Sequence, residues 1–376
     1  MNLKKPIVLL AMLILSASIS IAQELPSQEE IMDQMVLTNK HLMEKWPDPG
    51  VNVITNRERS SNLWTRAVYY EGLMALYGLK KDKAYYDYAV KWGESHNWDL
   101  RNGTQTRHAD NHCAGQTYIQ LYQIDPKPER IEHIQASIDA MLETYKINDW
   151  DWIDALQMAM PVFAQLTSLT GDAKYSERMY EMYMDTKVTQ GLFNEEDDLW
   201  WRDKDFLPPY EEPNGNDCNW SRGNGWVVAA MVRTLEFLPQ DDPHRFEYVQ
   251  MLQRMLKSVL TVQRTDGFWN VSLHDPTHFE GKETSGTALF LYGMAWGVNN
   301  GLLEKEVYMP AITKAWNAIS TEAIHDNGFL GYLQGTGKEP KDGQPVTYTS
   351  KPDFEDYGLG CFLLAGTEMY KLVGKE

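Results

Sequence analysis

Three cysteines in 376 residues, at 113, 218 and 361, form an odd set with no CxxC spacing. A disulfide framework and a thiolate metal site are therefore not expected, and the thiols read as buried and free. The run Asp149, Asp151, Asp154 lacks the HExxH or DxDxDG context of a metal site. Basic charge is also scarce: 35 Lys and Arg stand against 53 Asp and Glu, a net charge of −18, with the acidic residues scattered rather than blocked. That excludes capture of nucleic acid through its phosphates. It does not argue for a cationic substrate, because scattered carboxylates serve solubility. No Pro-, Ser- or Gly-rich linker divides the chain and no internal repeat is detectable, so one domain is expected. After the first 22 residues no stretch approaches the ~20 apolar residues that span a bilayer.

Those first residues have the layout of a signal peptide: Lys4 and Lys5, an apolar run from 7 to 15, and small residues at Ser20 and Ala22. No Cys follows Ala22 to accept lipid. The expectation is an exported protein, periplasmic or secreted, with no membrane anchor and with residues 23–376 as the mature domain. Loss of the two lysines takes the net charge from −18 to −20.

What the chain has in quantity is apolar residues at i, i+3 and i+4, with strand-like alternation only near 191–210 and 328–350. The periodicity predicts an all-α fold of about twelve helices, at 28–45, 63–78, 81–97, 110–123, 129–145, 150–169, 172–186, 222–238, 243–264, 284–299, 304–323 and 354–372. These are of two kinds. The segment 243–264 sets Phe246, Val249, Leu252, Met255, Leu256, Val259 and Leu260 against a charged face, as an outer helix does. The segment 152–169 has one ionisable residue, Asp154, and must be enclosed nearly all round. The two kinds alternate along the chain. Six inner helices ringed by six outer ones, an (α/α)6 barrel, satisfies that alternation, with a solenoid of helical pairs as the other solution.

In such a barrel the inner helices run the same way, so their starts share one rim. There the sequence places Trp64 and Arg66; His108, Asp110 and His112; Asp149, Asp151 and Asp154; Trp220, Arg222 and Trp226; Lys282 to Ser285; and Lys351 and Asp353. Helix capping explains Asp149, Thr284, Ser285 and Asp353. It does not explain Arg66, Arg222 or Lys282, since cations are unfavourable at a helix N-terminus. Positive helix ends with several cations describe a site for an anion. Asp154, between aromatic neighbours, is the candidate proton-transfer group, its pKa expected to be raised by desolvation, and Asp110 is the second carboxyl. Arg222 offers a planar fork to a carboxylate, and Trp220 and Trp226 offer faces to a sugar. Gly223 and Gly225 leave room for close approach. His108 and His112 at i, i+4 suit a sugar hydrogen bond better than a metal.

The stretches WTRAVYYEGLMALY, HADNHCAGQ, WIDALQMAMP, WSRGNGWV, QRTDGFWNVSL and KETSGTALFLYGMAWGVNNGLL, in this order over most of the chain, resemble glycoside hydrolase family 105, the unsaturated rhamnogalacturonyl and related uronyl hydrolases, close to family 88. The resemblance implies the (α/α)6 barrel, no cofactor, and an oligosaccharide substrate that ends in a 4,5-unsaturated uronic acid left by a polysaccharide lyase. It implies hydration of the C4=C5 double bond, after which the hemiketal collapses and releases the next sugar. By motif, Asp154 matches the general acid/base, Asp110 the second carboxyl, and Arg222 and Trp226 the substrate-binding Arg and Trp. One departure stands out: DLWWRDKDF places Arg202 where pectin-directed members carry a His. Positive charge there suits a sulfated aglycone such as the rhamnose 3-sulfate of ulvan, with rhamnogalacturonan the other candidate. Two further readings of the residues remain open: an ordinary inverting glycosidase, with carboxyls ~6.5–9.5 Å apart, and a non-catalytic glycan-binding protein.

Overall fold

The computed structural model describes residues 25–375, so the expected leader at 1–22 lies outside the described residues. Twelve α-helices are present among the described residues: α1 (Gln28–Lys45), α2 (Trp64–Lys80), α3 (Lys83–Ser95), α4 (Ala109–Ile124), α5 (Glu132–Leu142), α6 (Asp154–Thr170), α7 (Lys174–Met184), α8 (Ser221–Phe237), α9 (Arg245–Thr261), α10 (Thr284–Asn299), α11 (Lys305–Ala318) and α12 (Asp356–Val373). The even-numbered helices pack side by side in the order α2, α4, α6, α8, α10, α12, and α12 closes on α2. The odd-numbered helices lie outside this ring, as the alternation predicts.

The two kinds of helix differ as burial requires. In α6 every residue from Asp154 to Thr167 is buried, and in α8 every residue from Ser221 to Leu235. In α9 the buried stripe is Tyr248, Met251, Leu252, Met255, Leu256 and Val259. Phe246, expected on that stripe, is 68% exposed because it falls outside the i, i+3, i+4 series that Tyr248 begins. The inner helices approach closely where side chains are smallest. A Cβ on Gly360 of α12 would lie 2.2 Å from the Val68 carbonyl oxygen, and one on Gly72 of α2 would lie 2.6 Å from the Gly360 carbonyl oxygen.

Strands are few. β1 (Val53–Ile54) pairs antiparallel with β2 (Glu58–Arg59), which the periodicity does not predict, and β3 (Phe193–Asn194) pairs with β4 (Leu199–Trp200). The 328–350 segment has only an isolated bridge between Ile324 and Leu330 and is otherwise a loop over the rim. No helix among the described residues is long and apolar enough to cross a membrane.

Candidate active site

Helix α6 begins at Asp154, four residues later than the periodicity predicts. Trp152 forms a bridge with Asp203 and the Ile153 N–H donates to the Arg202 carbonyl at 2.9 Å, so the segment before Asp154 is held against the 201–206 connection. The candidate acid therefore stands in the first turn of a buried helix instead of inside it. There the helix dipole favours negative charge. The connection that delays α6 also delivers Arg202, whose Nε donates to Asp154 Oδ2 at 3.0 Å while its Nη1 donates to Asp203 Oδ2 at 2.6 Å.

Asp110 occupies the first turn of the neighbouring inner helix, α4, after His108 as the N-cap residue. Surrounding elements enclose it, yet its side chain keeps 28% exposure toward the rim. Burial pushes its carboxyl up to about 6, and the nearby charge of Asp154 pushes the same way, against the pull of His108, Arg202 and Arg101. The sequence singles out Asp154 as the carboxyl raised by desolvation. In the structure burial raises Asp110, and Asp154 meets Arg202. His108 is half exposed, with Nδ1 3.8 Å from Asp110 Oδ2 and its ring 4.8 Å from that of Trp152. His112 is not brought beside it: buried, and lowered to about 4 by that burial, it faces the Thr106 carbonyl and Ser137. Asp149, although burial opposes it, is held below the ordinary carboxylate range by hydrogen bonds from Arg107 and Lys146.

Next to the pair lies a cavity of about 260 Å³ lined by Asp151, Trp152, Arg202, Asp203, Lys204, Asp205 and Lys338. Lys338, from the 328–350 loop, sits 3.1 Å from Asp205. Residue patterning passed over Lys204 and Lys338; the basic residues in DLWWRDKDF and GTGKEPKDG were the available signal. A larger cavity, about 430 Å³, opens at the opposite mouth of the barrel among the C-terminal ends of the inner helices, where it meets Arg233, Glu236 and Glu368. Size does not identify the site. The two carboxyls in the first turns of neighbouring inner helices, Asp110 and Asp154, do, and they stand at the N-terminal rim.

Several rim residues have other work, which corrects the expectation of a ring of free cations. Arg66 is fully buried, pairs with Asp356 at 2.9 Å and stacks over Trp46. Arg222 is 1% exposed. Its fork donates to the Gln334 and Gly335 carbonyls and to the Tyr357 hydroxyl, and it stacks on Trp220 and Tyr357, so it anchors the 328–350 loop to α8. Trp220 is buried with its Nε1 donating to Gln334, and Trp226 is buried edge-on to Trp64. Neither indole offers an open face. Trp64 alone of the three is partly exposed. Gly223 and Gly225 admit Trp220 and Leu289, not a ligand. Lys282 pairs with Glu322. The rim cation in contact with a candidate catalytic carboxyl is Arg202.

The comparisons agree with this architecture. Residues 34–373 match the model for Glycosyl Hydrolase Family 88. An unsaturated 3S-rhamnoglycuronyl hydrolase from Formosa agariphila is 32% identical over 82% of this chain and 84% of its own, and one from Alteromonas sp. is 31% identical over 84% and 79%. The solved structure of a glycosyl hydrolase family 88 protein from Bacteroides vulgatus superposes with a TM-score of 0.85 at 32% identity, covering 92% of this chain and 100% of that one. A closed double ring of helices with two carboxyls at one mouth fits that match, which runs over nearly the whole described length, and the chain belongs to glycosyl hydrolase family 88.

Proposed function

We propose that this glycosidase removes a 4,5-unsaturated uronic acid from the non-reducing end of lyase-generated, rhamnose-containing oligosaccharides. The observation that carries the proposal is the Asp110 and Asp154 pair, one carboxyl raised to about 6 and the other against Arg202, at the mouth of the barrel. A vinyl ether reacts by protonation of C4, which leaves an oxocarbenium at C5 for water to attack. One carboxyl pair can do both steps: Asp154 gives the proton to C4 and takes one from the incoming water, while Asp110 holds the pair's second proton site and orients substrate or water. Arg202 stabilises Asp154 as it becomes negative on proton delivery. The hemiketal then opens and releases the aglycone.

His108, Trp64 and Arg202 face the rim from three elements and are the substrate contacts in this reading, whereas Arg222, Trp220, Trp226 and Arg66 support them from behind. Lys204 and Lys338 extend positive charge from Arg202 along the adjacent cavity, which favours a sulfated following sugar. The Formosa and Alteromonas relatives are named unsaturated 3S-rhamnoglycuronyl hydrolases. The leader-like pattern of residues 1–22 is what supports export to the periplasm or medium as part of the proposal. The test is a panel of unsaturated oligosaccharides made by lyases from ulvan, pectin and glycosaminoglycan, followed by ultraviolet absorbance and mass spectrometry. Loss of absorbance with release of the next sugar is expected for the ulvan products. Cleavage of saturated nitrophenyl glycosides instead would move the protein to ordinary glycosidase chemistry.

A further inference from the structure

Below the rim, inside the ring, lies a polar cluster that the reaction does not use. Glu71 of α2 is fully buried and accepts hydrogen bonds from two directions: Gln157 Nε2 of α6 at 2.8 Å and, more weakly, Cys113 Sγ of α4 at 3.4 Å. Arg233 of α8 pairs with it at 3.1 Å. The same Arg233 Nε donates to Gln116 Oε1 of α4 at 2.7 Å, and Gln116 Nε2 donates to the Gln157 carbonyl at 2.8 Å. Four inner helices meet in one hydrogen-bonded knot.

The register of this knot matters. Cys113 is three residues after Asp110 on α4, and Gln157 is three residues after Asp154 on α6. Residues at i and i+3 lie on the same helix face, one turn apart. Glu71 thus grips each helix one turn below its candidate catalytic carboxyl. A buried charge inside four packed helices is costly unless paired and hydrogen-bonded, and a plain core would fill this volume with apolar side chains. We infer that Glu71 is a positioning residue for the reaction: with Arg233 and Gln157 it fixes the spacing of α4 and α6, and so the separation of Asp110 from Asp154. The inference rests on the reading of that pair as catalytic, but its first test does not require turnover.

That test is the titration of Asp110, followed by carbon-13 NMR of aspartate-labelled full-length protein and assigned with Asp110→Asn. Asp110 faces Asp154, Arg202, His108 and Arg101. If the clamp loosens, the push from Asp154 weakens and burial relaxes, so its midpoint falls from about 6 toward the ordinary carboxylate range. Glu71→Gln tests the clamp, and Gln157→Met, close to it in volume and uncharged, keeps the test alive if Glu71→Gln does not fold. Each is expected to lower the Asp110 midpoint by about half a unit or more. On an accepted substrate each is also expected to lower kcat by roughly 10- to 100-fold with KM within about threefold, the signature of misplaced reacting groups. Folded variants in which Asp110 titrates as in the wild type would overturn the inference and leave Glu71 a core ion pair only. A wild-type enzyme inert toward every unsaturated oligosaccharide would instead overturn the functional reading, while the Asp110 titration still decides the clamp.

Discussion

Asp110 and Asp154 are both carboxyls in the first turn of an inner helix, and their neighbours make them different. Arg202 lies 3.0 Å from Asp154, whereas the half-exposed His108 lies 3.8 Å from Asp110. Asp154→Asn should lower kcat by about 10²–10⁴, the usual contribution of a positioned acid/base, with the melting temperature little changed because the amide keeps most of the packing. The pH profile follows from the sign of the Asp110 shift. Below about 6 its carboxyl holds a proton, and as pH rises through that value the proton is lost. If the protonated pair is the active form, kcat/KM should be level in mildly acidic buffer and fall about tenfold per unit above pH 6. Asp110→Asn should remove that limb; a limb that stays at the same pH in this variant belongs to another group. The residue types at the rim were legible, because a carboxyl within an apolar helix is conspicuous. Their partners were not. Arg66 and Arg222 looked functional because cations are unfavourable at helix starts, yet each is engaged by groups far along the chain, Asp356 in one case and the 334–335 carbonyls in the other.

Helices were readable from period alone, since each inner or outer stripe repeats over about three or more turns, and α1, α10 and α12 fall within two residues of their expected bounds. The connections were not, because a loop's course is set by what it packs on. The 201–206 connection trims the start of α6, and the 328–350 segment, whose alternation reads as strand, becomes a loop pinned by Arg222 and Tyr357. These two connections bring Arg202, Lys204 and Lys338 to one cavity. Lys338→Ala with Lys204→Ala should raise KM several-fold for a sulfated disaccharide and leave the desulfated one nearly unchanged, the difference shrinking as salt is added. Equal effects on both substrates would detach sulfate recognition from this cavity. Close helix packing yields a second contrast. Gly360→Ala drives a Cβ into the α2 backbone and should cost about 1–3 kcal/mol, while Gly78→Ala, with open space around its Cβ on α2, should stabilise by about 0.4–1 kcal/mol. Thermal melts of the two variants compare them directly.

A ring of helices must join its beginning to its end, and this one does so between α2 and α12, whose contact residues lie some 290 positions apart. Alternation of wet and apolar helices made the number of layers legible from sequence, but nothing local announces which inner helices touch at the seam or in what register. Two features set it here. Gly72 and Gly360 let the backbones meet, and Arg66 with Asp356 supplies a buried ion pair at the rim end of the same contact. Desolvation opposes such a pair, so its removal as a unit and its disruption by halves should differ in cost. Asp356→Ala leaves the Arg66 guanidinium buried without its carboxylate, and Arg66→Met leaves the carboxylate of Asp356; each should destabilise by about 3–5 kcal/mol in urea unfolding. Arg66→Met combined with Asp356→Leu removes both charges and refills the space, and should lose much less than the sum of the singles. If the double variant loses as much as the two singles together, the seam depends on packing around each residue separately, and the ion pair does not set the register in which the barrel closes.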